Sequence, residues 1–239
     1  MKLLTKKIQL GLKAAACLGG SFGEKVLRLA LKEDEFDASF FKSCVDSGFL
    51  ERQSSDQYAF CHDEIQKAAY NLIPEDKRDS FRLLLGSRLL MKTPSSETGV
   101  ILHCIVDNMN HGKDLIPTSD QRYELAEYNM KAGEQAVSKS AFHSASKYFT
   151  AGIALLGEDT WEKKYKLSMN LFDAASEVLY VTGESEKLSL LMETPLKNAR
   201  SFDDKLNINY NLVRSLTGKN QLFHQQLLLL FATLSTVSL

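Results

Sequence analysis

The sequence lacks an excess of charge of either sign, because 29 lysines and arginines face 30 aspartates and glutamates. Proteins that hold nucleic acid usually carry a surplus of positive charge over the binding surface. Residues 31–50 show the opposite tendency: they contain two lysines and five carboxylates, a net charge of −3 (2 − 5). Nucleic acid is therefore disfavoured as a partner.

Cysteine is scarce and unpaired in the sequence. Cys17, Cys44, Cys61 and Cys104 lie far apart, with no CxxC pair of the kind that builds zinc or redox sites. No two of the five histidines stand four residues apart, the spacing that places two metal ligands on one helix face. We predict buried free thiols, no metal site and a reducing, cytoplasmic environment.

Long apolar runs are also missing. The apolar stretch over residues 227–239 is shorter than the roughly 20 residues that a spanning helix needs. At the other end, Lys6, Lys7 and Lys13 interrupt any signal-peptide core. The sequence therefore predicts no membrane partner.

Recognisable catalytic motifs are absent as well. The glycine-rich stretch Gly19–Lys25 has Glu24 where a phosphate loop needs its second glycine. A carboxylate there would repel phosphate, so we interpret the stretch as a turn between two helices. Neither a nucleophile elbow nor a zinc-protease helix nor a kinase motif occurs elsewhere. We predict that this chain is not an enzyme, has no catalytic residues and holds no cofactor by itself.

Helical periodicity dominates what is present. Apolar spacing predicts helices over about 3–18 and 24–31 and a third, lined by Phe36 to Val45, that ends at Gly48. Short apolar runs around residues 49–61 then predict a β-hairpin. Three helices followed by a hairpin is the order of a winged-helix domain, an order that unrelated small folds share. The predicted fold class is mainly α: a winged-helix-like module over 1–74, connecting helices over 75–118 and an α-α superhelix over 119–239.

The superhelix is predicted from one pair of helices that fits the tetratricopeptide pattern. Small residues are needed where two helices cross closely, and a large aromatic side chain fills the space beside them. The repeat-packing residues that we expect are Gly133, Ala136, Ala145, Phe149 and Gly152. Further helices are predicted at about 160–182, 184–193, 202–217 and 220–236, which we interpret as two degenerate repeats.

One segment resembles a known family. Residues Tyr58 to Pro74, YAFCHDEIQKAAYNLIP, are similar to a pattern found downstream of the ATPase core in multidomain sensor kinases. These are STAND (AAA-related) proteins with serine/threonine kinase or hybrid histidine kinase architecture. The turn at Leu18–Phe22 and the segment Ala151–Trp161 also resemble that family. The resemblance implies a winged-helix plus tetratricopeptide-like region without the ATPase core.

The same resemblance implies a role for His62 and Asp63. Cys61-His62-Asp63 is similar to the Met-His-Asp signature of STAND switches, in which the histidine contacts the terminal phosphate of bound ADP. His62 and Asp63 are therefore nucleotide-sensor candidates, acting on ADP or ATP only where an ATPase core is present. An imidazole can donate a hydrogen bond to a phosphate oxygen, and Asp63 is expected to cap the helix that follows.

We therefore expect a non-catalytic regulatory and protein-interaction region of a STAND-type signalling ATPase. Its partners would be proteins bound through the helical repeats, together with a nucleotide-binding domain. A free-standing helical-repeat adaptor is the alternative. A DNA-binding winged-helix regulator is the weaker one, because the charge of residues 31–50 opposes it.

Overall fold

The computed structural model describes residues 4–217. They form two compact units, and the division falls between Pro117 and Thr118. The described chain is mainly helical with a small three-stranded antiparallel sheet, which confirms the predicted structural class. The helix predicted at 220–236 lies outside the described residues.

The N-terminal unit contains six helices and three strands among its described residues. In chain order they are α1 Lys6–Leu18, β1 Ser21–Gly23, α2 Glu24–Ala30, α3 Phe40–Asp46, β2 Leu50–Arg52, β3 Gln57–Phe60, α4 Asp63–Tyr70, α5 Arg78–Lys92 and α6 Ser95–His111. Short 3₁₀ turns precede α3 and α5 and follow α6. The first helix starts where expected for a capped helix, because the Thr5 side chain accepts from the Ile8 backbone N–H.

The sheet has the order β1-β3-β2. The predicted hairpin is confirmed, since β2 pairs with β3 in antiparallel register, Leu50 opposite Phe60. The expectation of a plain helix-to-helix turn at Gly19–Lys25 is wrong in part, because Ser21–Gly23 pair with the other edge of β3. Three residues are too few to leave an alternating pattern, so only the partner strand defines this element.

The core of the N-terminal unit combines helix and sheet residues. Leu12, Leu27 and Phe40 are buried, and the rings of Phe41 and Tyr58 stack with centroids 4.2 Å apart. Such aromatic pairs add to the stabilisation that burial alone provides. Val45, expected on the buried face of α3, is instead partly exposed at 38%, because α3 ends one residue later.

Two polar contacts join helices α5 and α6 to the residues that precede them in the N-terminal unit. Arg88 on α5 forms an ion pair with Glu35 at 2.7 Å, with little of the arginine side chain exposed. Asn108 on α6 is buried, and its Nδ2 donates to the carbonyl oxygen of Cys17 at 3.1 Å. Residues 78–111 therefore belong to the same compact unit as α1–α4.

The described part of the C-terminal unit is entirely helical. Its helices are α7 Ser119–Ser138, α8 Phe142–Ala154, α9 Thr160–Lys163, α10 Tyr165–Val181, α11 Ser185–Asn198 and α12 Phe202–Thr217. The predicted helices at 160–182, 184–193 and 202–217 are confirmed in place, but the first is two helices divided at Lys164, and the second continues past Pro195 to Asn198.

Helices that follow one another in the C-terminal unit pack together: α7 on α8, α8 on α10, α10 on α11 and α11 on α12. Gly183 provides the turn between α10 and α11, and its positive φ of 75° explains why glycine is needed there. One apolar cluster fills the space under α10, α11 and α12, with Met169, Phe172, Leu188, Met192 and Ile208 buried. Amphipathic helices stacked in sequence therefore share a continuous core.

Candidate functional site

His62 lies at the junction between β3 and α4. It occupies the N-cap position of α4 in extended conformation, and its side chain makes no capping hydrogen bond. The expectation that Asp63 caps the helix is wrong, because Asp63 is already the first helical residue. Both side chains are exposed. Asp63 acts instead as a negative charge in the first turn, where the helix dipole favours one.

The backbone around His62 is fixed from several directions. The N–H of Phe60 donates to the Gly20 carbonyl oxygen at 2.9 Å, and the N–H of Cys61 donates to the Phe49 carbonyl oxygen at 3.2 Å. One turn into α4, Gln66 Nε2 donates to the Ala16 carbonyl oxygen at 3.2 Å. The junction is thus tied to the end of α1 and to both neighbouring strands. His62 is exposed on a rigid support rather than on a free loop.

The charges next to His62 are acidic or already paired. Asp63 and Glu64 lie in the first turn of α4, and Lys67 forms an ion pair with Glu64 at 2.7 Å. The hydrogen bond from Lys67 to Glu64 raises the pKa of the lysine above its usual value. A triphosphate needs several positive groups to hold it, so this junction offers one imidazole and no phosphate cradle of its own.

A concave surface of the N-terminal unit is lined by four cations, Lys25, Arg28, Lys32 and Lys92, together with the carboxylates Glu24, Glu33 and Asp56. It measures about 880 Å³ and lies between α2, the turn around Glu33 and the end of α5. Arg28 on its wall is paired with Glu24, and Lys92 donates to the Leu31 carbonyl oxygen at 2.8 Å. Lys25 forms an ion pair with Glu97 at 2.6 Å, so three of the four lining cations already have partners within the protein.

In the C-terminal unit, the five residues predicted to pack the first repeat are distributed over two successive helix crossings. A Cβ added at Gly133 would lie 2.3 Å from Cε1 of Phe149, so the ring occupies the place that a side chain would need. Ala136 and Ala145 are buried where α7 meets α8. Gly152 lies against Leu171 of α10, at 2.8 Å for an added Cβ. Small residues thus permit close approach at two successive helix crossings.

An apolar groove that sequence reasoning missed lies between α7, α8 and α10. It measures about 450 Å³, and Met130, Val137, Phe142 and Val181 are among the residues that line it. The residues come from three helices, and periodicity identifies only the faces of each helix separately. The partial exposure of Val137 and Val181, at 38% and 52%, is the feature that marks the groove in the folded unit.

Acidic side chains of α10 and α12 interact with one another in the C-terminal unit. Burial raises the pKa of Asp173 above its ordinary value, and the negative charges of Asp204 on α12 and Glu177 on α10 raise it further. Asp204 itself accepts a hydrogen bond from the hydroxyl of Tyr165 at 2.6 Å, which lowers the pKa of Asp204. The ionised form of Asp173 is therefore destabilising in the folded unit.

Replacing Asp173 with asparagine should raise the free energy of unfolding at neutral pH. A carboxyl whose pKa is higher in the folded than in the unfolded chain binds its proton more tightly when folded. Its contribution to the free energy of unfolding therefore decreases as the pH rises from the unfolded pKa through the folded pKa. Urea unfolding from about pH 4 to pH 7 measures this. The wild-type chain should lose stability relative to Asp173→Asn as the pH increases. A constant difference between the two would contradict the prediction.

The sequence of this chain is similar to part of a known signalling protein. It is 27% identical to hybrid signal transduction histidine kinase G of Dictyostelium discoideum over 168 residues, which cover 60% of this chain. The matched segment spans only 5% of that kinase. No protein-family profile matches the chain, and no solved structure matches it. The chain is therefore similar to a small part of one signalling kinase.

Two further findings limit the kinds of site. In residues 4–217, no group of three or more histidine, cysteine, aspartate or glutamate side chains is placed to hold a metal ion. Over the same residues, no helix has both the length and the apolarity to cross a bilayer.

Burial raises the pKa of the Cys17 thiol to about 11 and that of the Cys44 thiol to about 12. These two thiols are therefore poor nucleophiles.

Proposed function

We propose that this chain is a non-catalytic regulatory and protein-interaction region of a STAND-type signalling ATPase. The similarity to part of a hybrid signal transduction histidine kinase is the observation that carries the proposal. The N-terminal unit would be a winged-helix-like module, supported by its three helices followed by the β2–β3 hairpin. The C-terminal unit would be a tetratricopeptide-like array, supported by the contact of Gly133 with Phe149.

In this proposal His62 contacts the nucleotide of an ATPase core, either in trans or within the full-length protein. The exposure of the imidazole and the hydrogen bonds that fix its backbone support this role. The nucleotide itself would be held by the core, because the groups beside His62 are carboxylates or paired cations. ADP would then join the two parts, and its loss would free this region to reach other partners.

A free-standing helical adaptor remains the second candidate, favoured by the apolar groove between α7, α8 and α10. Co-purification separates the two functions. A tagged full chain recovered from its native cells should bring a nucleotide-binding protein with it if it is the regulatory region of an ATPase. An adaptor would instead recover partners without such a protein.

The purified chain should hydrolyse no ATP above a protein-free blank, and His62→Ala should not change this result. In the co-purified complex, His62→Ala should weaken ADP retention by about tenfold, the equivalent of one hydrogen bond to a charged group. His143→Ala is the matched control, because His143 is an exposed histidine in the other unit. Turnover by the chain alone that His62→Ala abolishes would overturn the proposal.

A further inference from the structure

The groove in the C-terminal unit is lined mainly by apolar side chains, some of which stay exposed. Met130 and Val137 come from α7, Phe142 from α8, and Val178 and Val181 from α10. Val181 leaves about half of its surface exposed, at 52%. Apolar surface in a concave site gains free energy when another apolar group displaces water from it.

The walls of the same groove are negatively charged. Glu134 on α7 and Glu177 on α10 are the ionisable residues that line it, and the lining includes no lysine, arginine or histidine. An apolar floor between two carboxylates favours a ligand that is apolar at its tip and positively charged beside it.

We propose that this groove binds a partner protein segment in which a large apolar side chain is flanked by lysine or arginine. A volume of about 450 Å³ admits a few apolar side chains but not a folded domain. The apolar side chain would fill the space between Val137 and Val181, and the flanking cations would meet Glu134 and Glu177. The inference rests on the proposed interaction role of the C-terminal unit and names the chemistry of its partner.

Three labelled synthetic peptides of equal length test the proposal against the full chain. The first contains leucine and lysine, the second leucine and glutamate, and the third serine and lysine. Fluorescence anisotropy should show that the leucine–lysine peptide binds at least about tenfold more tightly than either of the others, because it alone satisfies both the floor and the walls. Equal binding of the leucine–glutamate or serine–lysine peptide would overturn the proposal.

Charge reversal locates the binding. The double variant Glu134→Lys/Glu177→Lys should lose the preference for the leucine–lysine peptide and gain affinity for the leucine–glutamate peptide. The control Glu162→Lys/Glu193→Lys makes the same change in net charge at exposed positions that do not line the groove, and it should keep the original preference. Circular dichroism checks that both variants are folded.

Two results would refute the inference. One is an equal loss of peptide binding in the control variant, which would indicate non-specific attraction to an acidic chain. The other is self-association that Glu134→Lys/Glu177→Lys abolishes in sedimentation, which would assign the groove to a second copy. Neither result bears on nucleotide retention through His62, so failure here is distinguishable from failure of the proposed function.

Discussion

Replacing Gly133 with leucine should destabilise the C-terminal unit by about 3 kcal/mol. Even the first added carbon would lie 2.3 Å from Cε1 of Phe149 and 2.6 Å from Cδ1 and Cζ. The ring is itself buried at 1% exposure, so it cannot move without disturbing its own neighbours. Leucine is a better helix former than glycine by somewhat less than about 1 kcal/mol, so the packing cost should exceed the gain in propensity.

Urea unfolding followed by circular dichroism measures this change. Lys131→Leu adds the same side chain to an exposed position of the same helix, and it should stay within about 0.5 kcal/mol of wild type. A rescue experiment tests the cause. Phe149→Leu in the background of Gly133→Ala should cost less than it does alone, because it removes ring atoms from the clash. Purely additive effects would show that the ring is not what excludes a side chain.

Replacing Asn108 with leucine should destabilise the N-terminal unit by about 3 kcal/mol, since it removes a buried amide and leaves its hydrogen-bond partners unpaired. Asn108 is 1% exposed. Its Nδ2 donates to the carbonyl oxygens of Cys17 at 3.1 Å and Cys104 at 2.9 Å, and its Oδ1 accepts from Nε of Arg82 at 3.2 Å. The leucine leaves the Cys17 oxygen without a partner where α1 ends.

Asn198→Leu is the matched control, because the amide of Asn198 donates to the Thr194 carbonyl oxygen of its own helix, at 2.9 Å, in a solvent-exposed position. It should change the free energy of unfolding by less than about 0.5 kcal/mol. The intermediate variant Asn108→Asp keeps an acceptor for Arg82 and loses the donor to Cys17. It should therefore also be destabilised. Stability of Asn108→Leu equal to wild type would show that the amide does not join α6 to α1.

The helices and the hairpin could be predicted because their signals are local. Apolar residues at helical spacing define α7 and α10, and the polar stretch Ser54–Gln57 between two apolar runs defines the β2–β3 turn. The contact between Gly133 and Phe149 could also be predicted, because a recurring small-residue pattern encodes one type of helix crossing. His62 was found through a resemblance, and its position follows from the strand before it and the helix after it.

Other features required residues that are distant in the chain. Strand β1 exists because Phe22 lies opposite Tyr58, and three residues alone carry no strand signal. In the sequence, Asn108 is one polar residue in an apolar helix. Its role depends on Cys17, 91 positions earlier, whose carbonyl oxygen accepts its hydrogen bond. The groove needs Val137 and Val181 on different helices. Sequence by itself determined the helices and the β2–β3 hairpin, because these depend on neighbouring residues. Tertiary structure alone decided which faces meet and which stay open, because that depends on how those segments pack.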